Sequence, residues 1–382
     1  MNFEELILEL SLKRRSKHLQ DQFLLSQALK GLGNPQKKYP AVHVAGTNGK
    51  GSVSTKLAKV FEESGYRAAL FTSPHLYHFE ERIQVNGALI PQAFILEHLP
   101  FLLTHYPNLS FFDYTTLLGL DYFAEEKVDI AIIEAGMGGL YDSTNCIMPL
   151  LSVITTIALD HQDVLGSSLE EIAFQKCGII KPLTPVVLGP KAARESVINT
   201  AKELYAPCYI TPFQEGSYQE ENKQIAQVAI DQLKSYFHLD PVAIQKGLRV
   251  NPPCRFETIG RFTLDVAHNP EGFSSLIKMW DQSYPGRPIN SIVSLSLDKD
   301  LENCLLQLAN RSQHIFLVQA STSRSAPTPL LAEILTKNNR THFTACQTVE
   351  SALSQALACK PDILVCGSFY IMKDIREKIL RL

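Results

Sequence analysis

The sequence predicts an α/β chain of two domains, a larger N-terminal one on a mainly parallel sheet and a smaller C-terminal one. Three observations carry that expectation. Short apolar runs alternate with segments of helical period, several of those runs end in polar residues, and 382 residues exceed a comfortable single core. A composition break at Asn251-Pro252-Pro253-Cys254 marks the junction, and domains of 1–256 and 257–382 are expected.

The elements follow in order. Residues 2–30 read as two helices, the second stopped by Gly31-Leu32-Gly33-Asn34-Pro35. The apolar run Ala41–Ala45 is a strand, and Val53, Leu57, Val60 and Phe61 stand at helical spacing in a helix from Ser52 to Ser64. Ala68–Thr72 is a buried strand, and the polar stretch Phe79–Gly87 reads as a surface excursion rather than a core element. Residues 91–126 are mainly helical, and Val128–Glu134 is a fully buried parallel strand ending in a carboxylate. A glycine-rich turn, a strand Leu151–Ile157, a helix Ser168–Cys177, a strand Pro185–Leu188 and three further helices complete the first domain. Beyond the break, strands at Phe262–Val266, Ile289–Leu295, Ile315–Val318 and Ile363–Cys366 alternate with helices, a Rossmann-like βαβ arrangement with right-handed crossovers expected.

The most informative stretch is the strand, turn and helix spanning Ala41–Ser54. Its three glycines, Gly46, Gly49 and Gly51, let the backbone bend tightly enough to aim several N–H groups at one point. The helix N-terminus adds partial positive charge and Lys50 a full one, so Gly46, Thr47, Asn48, Gly49, Lys50, Gly51 and Ser52 form a cradle of phosphate-loop (P-loop) type for a nucleoside triphosphate. The common phosphate-loop pattern has a glycine where Val44 stands here and Ser or Thr directly after the lysine, whereas Gly51 intervenes before Ser52. The pattern is therefore a variant. A tight turn with a solvated lysine would explain Gly-Lys alone; the strand, three glycines, lysine and serine in order favour phosphate.

Composition excludes several classes. Hydrophobic content of 45%, charged content of 20% and a net charge of −3 argue for an ordinary globular protein, with neither a nucleic-acid nor a membrane surface. The eight cysteines include no C-x-x-C pair and mostly sit in apolar segments, which reads as reduced, buried thiols. Residues 1–15 lack the pattern of a signal peptide, so a cytoplasmic location is expected.

Four residues lie just past a strand or on the next helix: Ser73, Glu134, His161 and Lys176. Mg²⁺ takes oxygen ligands and is commonly held by one or two protein groups plus phosphate oxygens, which suits Glu134. A histidine at a strand end is more often a structural hydrogen-bonding group, and a lone lysine more often an ion-pair partner. In the second domain, Asp265 closes a strand and could accept from ribose hydroxyls, while His268 could meet a base. Asn269-Pro270 reads equally as a helix N-cap, and the two readings are compatible.

Taken together, these motifs resemble the folylpolyglutamate synthase/dihydrofolate synthase family, relatives of the Mur ligases. The resemblance runs from about residue 40 onward. Its most specific pieces are His43–Ser52, Thr72-Ser73-Pro74-His75-Leu76 and Asp265–Pro270. Ile133–Gly139 with Asp142–Asn145, Asp160-His161, Gln175–Ile179, Arg255-Phe256-Glu257 and Gly367–Tyr370 also match.

The resemblance implies an ATP-dependent, ADP-forming ligase that adds L-glutamate to dihydropteroate or a reduced folate through an acyl phosphate. It implies Mg²⁺ near Ser73, Glu134 and His161, and it matches Lys176 to a lysine that is carbamylated. Lys50, Glu134, His161 and Lys176 are then the catalytic set, while Arg255, Asp265 and His268 grip the nucleotide. Arg82 is matched to the glutamate carboxylate and Phe111, Phe112 and Thr115 to the pterin side, although an aromatic pair at a helix start is more often core. A monomer is expected.

The sequence departs from the family pattern in places. Leu140 stands where an arginine usually follows the glycine turn, Gln175 replaces a glutamate and Cys177 an alanine. A Mur-type cell-wall ligase is the nearest alternative, but Mur loops place Thr directly after Gly-Lys, and only about forty residues precede Gly46, too few for a nucleotide-sugar domain. A nucleotide-binding relative without catalysis is favoured by Leu140 alone.

Overall fold

The computed structural model describes residues 2–13 and 20–381. Two compact units emerge. One runs to Ile157 and resumes over Leu169–Gln214 and Glu221–Asn251; the other comprises Pro252–Leu382 together with Ala158–Ser168 and Glu215–Glu220.

The first unit is built on an eight-stranded sheet: β1 (Ala41–Ala45), β2 (Ala68–Phe71), β3 (Ile83–Val85), β4 (Ala88–Leu89), β5 (Ile130–Glu134), β6 (Leu151–Ile154), β7 (Val186–Leu188) and β8 (Cys208–Ile210). Their order is β4-β3-β2-β5-β1-β6-β7-β8, with β3 and β4 antiparallel and all other pairings parallel. Alternation along the strands divides the core between the two faces. Ala131 and Ile133 of β5 pack with Phe71, Tyr114, Leu117 and Phe123. Ile130 and Ile132 pack with Val53, Leu57, Val60, Ile225 and Ile230. A strand covered on both faces needs the continuous apolar run that the sequence shows.

The second unit carries six strands: β9 (Arg255–Ile259), β10 (Phe262–Asp265), β11 (Ile289–Val293), β12 (Ser312–Leu317), β13 (Phe343–Ala345) and β14 (Asp362–Cys366). Their order is β13-β12-β11-β14-β10-β9, with only β9 antiparallel. The α/β class with a mainly parallel first sheet is thus as the sequence predicts. Arg255 and Phe256, allotted from sequence to the first domain, open the second sheet.

Two local expectations are corrected. The Phe79–Gly87 stretch is no surface excursion: Phe79, Glu80, Arg82, Ile83 and Val85 are buried, and β3 pairs with β2. Its polar residues misled because they bond inward; Glu81, for example, accepts the N–H groups of Leu76, Tyr77 and His78 at 2.8, 2.8 and 2.9 Å. The helix after the phosphate turn starts two residues early, at Lys50, so Lys50, Gly51 and Ser52 are its first turn. The two N-terminal helices are present as expected, Phe3–Ser11 and Gln20–Gly31, and 14–19 lie outside the described residues.

The helix Lys50–Glu63 is tied to the segment that ends the first unit. The fully buried Lys56 ammonium donates to the carbonyls of Leu248 and Val250 at 2.9 and 2.7 Å and to Asn251 Oδ1 at 2.9 Å. These acceptors stand at the C-terminus of the helix Pro241–Arg249, where a cation also meets the negative end of the helix dipole. On β1, His43 is fully buried, with Nε2 2.8 Å from Thr144 Oγ1, and burial lowers its pKa from 6.5 to about 3.

Lys56→Met should lower unfolding free energy by about 3 kcal/mol in urea, because three acceptors, the Leu248 carbonyl among them buried, lose a charged donor at once. His43 makes stability pH-dependent: the unfolded chain binds its proton below about 6.5 and the folded chain only near 3. Stability contributed by the neutral ring is therefore full above pH 6.5 and is lost as pH falls toward 3. The slope reaches at most ~1.4 kcal/mol per pH unit. Urea midpoints between pH 7 and pH 5 should fall in the native chain and flatten in His43→Gln.

Candidate active site

β1 is bonded to β5 on one side and β6 on the other, so the turns leaving these three strands share one edge of the sheet. In an open parallel sheet that carboxyl edge is where ligands bind. The turn after β1 is held by two threonines that sequence reasoning missed. Thr155 Oγ1 donates to Asn48 O at 2.6 Å, Asn48 N donates to Thr156 Oγ1 at 2.9 Å, and Thr47 N donates to Thr156 O at 2.8 Å. The signal available was a Thr-Thr pair ending the apolar run of β6. Gly46 lies so close to Thr155 that a side chain there would overlap its hydroxyl, and Gly49, at φ 88°, is the left-handed N-cap of the following helix. Lys50 Nζ folds back to the carbonyls of Gly46 and Thr47 at 3.0 and 3.1 Å. The ammonium thus rests on the turn it would leave to meet a phosphate.

Glu134, only 3% exposed at the end of β5, accepts from Ser73 N at 3.3 Å. Gly51 faces the same carboxylate: a Cβ there would sit 3.4 Å from Glu134 Oε2. Ser73, Glu134 and the first turn of the helix are therefore brought together in the first unit. The oxygen donors of Ser73 and Glu134 suit Mg²⁺, and the bare Gly51 leaves space before the carboxylate.

Lys176 is buried on the helix Leu169–Cys177. The end of that helix packs under the glycine turn, where Leu140 N donates to Gln175 O at 2.7 Å and the Leu140 backbone presses on Gly178. Leu140 thus fills a tight backbone contact.

Arg82 is buried, with Nε 2.8 Å from His75 Nδ1 and its guanidinium 5.1 Å from the centre of the Phe111 ring. Arg82, Phe111 and the His75 of the Thr72–Leu76 motif therefore converge. Phe112 packs against Phe71 and over Gly136. Thr115 is fully buried, and its hydroxyl donates to Phe111 O at 2.7 Å within its own helix.

In the second unit, Asp265 accepts from Phe256 N and Ala267 N, both at 2.8 Å, and from the hydroxyl of Tyr218. Burial pushes its pKa up against these donors. Asn269 N-caps the helix Pro270–Ser283, accepting from Gly272 N at 2.8 Å, while Arg255 lies over the Phe369 ring at 5.0 Å.

Asp160 and His161 belong to this unit as well. Asp160 Oδ1 receives Lys299 Nζ at 2.6 Å and Oδ2 receives Asn269 Nδ2 at 2.9 Å, with His268 Nε2 at 3.4 Å. Although burial opposes it, His268 and Lys299 hold this carboxyl well below the usual range. His161 has Nδ1 3.6 Å from Asp298 and Nε2 3.3 Å from Lys299. Burial, reinforced by Lys299 and opposed by Asp160, lowers its pKa to about 4, so the ring is neutral at pH 7 and its one lone pair, on Nε2, faces the Lys299 ammonium. Sequence reasoning missed Tyr218, Asp298 and Lys299; the signal for the last two was a charged triplet, Asp298-Lys299-Asp300, separated from β11 by four residues.

The class defined by this fold and this phosphate turn is found in two family matches, the Mur ligase middle domain over residues 44–247 and the Mur ligase glutamate ligase domain over 254–369. A folylpolyglutamate synthase of Lacticaseibacillus casei is 30% identical, over 100% of this chain and 99% of its own. The Escherichia coli FolC structure in complex with DHPP and ADP superposes with a TM-score of 0.90 at 25% identity, covering 100% and 98% of the two chains. A bifunctional folylpolyglutamate synthase/dihydrofolate synthase with Mn, AMPPNP and L-glutamate bound gives 0.89 at 27% identity, covering 100% and 98%. The chain belongs to the folylpolyglutamate synthase/dihydrofolate synthase family of the Mur ligases.

Gly51→Val should press branched methyls on the Glu134 carboxylate. We expect unchanged thermal unfolding within a few degrees but ADP binding weakened about tenfold or more, roughly 1.4 kcal/mol, by calorimetry.

Proposed function

We propose that this chain joins L-glutamate to the carboxylate of a pterin substrate, dihydropteroate or a reduced folate, while ATP becomes ADP and phosphate. The observation that carries this reading is the Gly46–Lys50 turn standing beside the buried Glu134 at the edge of the central strand.

A pterin carboxylate oxygen bonds to the γ-phosphorus as the bond to the β-phosphate oxygen breaks, giving an acyl phosphate and ADP. The amine of glutamate then adds to the acyl carbon, and the tetrahedral intermediate releases phosphate and a proton. The turn N–H groups and Lys50 hold the phosphates and stabilise charge moving onto ADP. Mg²⁺, when bound, would neutralise phosphate charge, and Ser73, Glu134 and His161 would hold it. The carbamate is assigned to Lys176, which is buried on its helix.

Arg255, Asp265 and His268 are assigned to the nucleotide. Asp265 is well filled by Tyr218 and two backbone N–H groups, so ribose contact requires it to share an oxygen. Arg82 is assigned to the glutamate carboxylate and Phe111 with Thr115 to the pterin side. The enzyme acts as a cytoplasmic monomer on this reading; among the described residues no helix is long and apolar enough to cross a membrane.

ADP release should require glutamate and a pterin, and dihydropteroate and tetrahydrofolate compared at equal ATP and glutamate should each support it. Absence of turnover with any pterin would sink the ligase reading. Lys176→Ala should lose activity by about a hundredfold or more, ~3 kcal/mol of transition-state stabilisation, and regain part of it with short carboxylic acids.

A further inference from the structure

The chain leaves the first unit after Ile157 and rejoins it at Leu169, and the eleven residues Ala158–Ser168 between them are counted with the second unit. This short passage carries His161, and an ionic cluster fastens it. The side chains of Asp160 and Lys299 are each only 6% exposed. The Lys299 ammonium meets Asp160 Oδ1 at 2.6 Å, Asp298 Oδ2 at 3.3 Å and His161 Nε2 at 3.3 Å, which accounts for all three of its N–H directions. Arg324 lies 3.4 Å from Asp298, so two acids face two bases.

The second oxygen of Asp160 is held by Asn269, which is itself fixed as a helix N-cap. Asp160 also accepts the His161 backbone N–H at 2.9 Å. His161 adopts the left-handed conformation, φ 50° and ψ 42°, at the start of the short helix Gln162–Leu165. A residue with a Cβ keeps that conformation only where its surroundings impose it. Here the imposing group is Asp160, and Lys299 on one oxygen and Asn269 on the other hold Asp160 in place.

We propose that Lys299 is a positioning residue that sets the place of the His161 ring through Asp160. The ammonium touches no reacting atom in this role; it fixes both the backbone and one nitrogen of the histidine. The inference rests on the ligase reading above for its consequence in catalysis, while the placement itself can be tested without turnover.

The experiment compares the full chain with Lys299→Met, Lys299→Arg and Asp160→Asn. Amide hydrogen exchange of 158–168 should quicken in Lys299→Met and Asp160→Asn, while exchange of 46–63 stays unchanged. In the activity assay, Lys299→Met should lower kcat about thirtyfold or more and raise the Mg²⁺ concentration for half-maximal rate about tenfold, with KM for ATP within about threefold. Lys299→Arg, which keeps the charge, should recover at least part of both.

Asp160→Asn keeps the shape of the side chain and gives the same reading should Lys299→Met fail to fold. Unchanged exchange of 158–168 in a folded variant overturns the proposal. Faster exchange with kcat and Mg²⁺ requirement both within about twofold of the parent overturns it also, since the cluster would then be merely structural. A native chain with no pterin-dependent turnover would instead refute the ligase reading and leave the exchange result to decide the placement alone.

Discussion

The structure of the first unit depends on β1 being hydrogen-bonded on both edges. Because β5 and β6 flank it, the chain reaches its central strand first and fills in the neighbours later, and the turns after all three strands must meet. Glu134 arrives from β5, Thr155 and Thr156 from β6, and the phosphate turn from β1 itself. The three contributions come from separate stretches of the sequence. The apolar character of the three strands is what brings their polar ends together, so core packing and site assembly are one event here.

That dependence explains how much was legible. The phosphate turn could be read from Gly46, Gly49 and Lys50 because its chemistry is local: a strand, a tight bend and a helix start lie within fourteen residues. Glu134 and Asp265 were legible as carboxylates ending apolar runs. Thr155 and Thr156 were not, because a threonine pair at a strand end is ordinary until the strand is known to lie beside β1. The buried Phe79–Val85 segment was misread for the converse reason. Glu81 and Arg82 look solvated in sequence, yet one caps a turn and the other lies on Phe111 and His75. Polarity predicts the surface only when the partners of the polar groups are water.

The second unit shows the same limit more sharply. Asp160, His161, His268, Asn269, Asp298 and Lys299 come from three separated segments, and every one makes a short polar contact with another. Asn269 could be read either as an N-cap or as a binding residue, and the structure shows capping joined to a bond with Asp160. Its Oδ1 serves the helix while its Nδ2 serves the carboxylate. An amide is suited to such a double role because donor and acceptor are on one rigid plane. Replacing it by Asp could keep the cap and would lose the donor.

Gly51 joins these strands of argument. Against the common phosphate-loop pattern it is an insertion between lysine and hydroxyl, and from sequence it looked like a weakening of the motif. In the structure it is the residue of the first helical turn that faces Glu134, where a Cβ would stand 3.4 Å from the carboxylate. A hydroxyl-bearing side chain in that place would compete with a cation for the same oxygen. Moving the hydroxyl one position along to Ser52, which is itself buried, keeps a polar group in the turn and clears the approach to Glu134. The irregular spacing thus places the residue without a side chain at contact distance from the acid that closes β5.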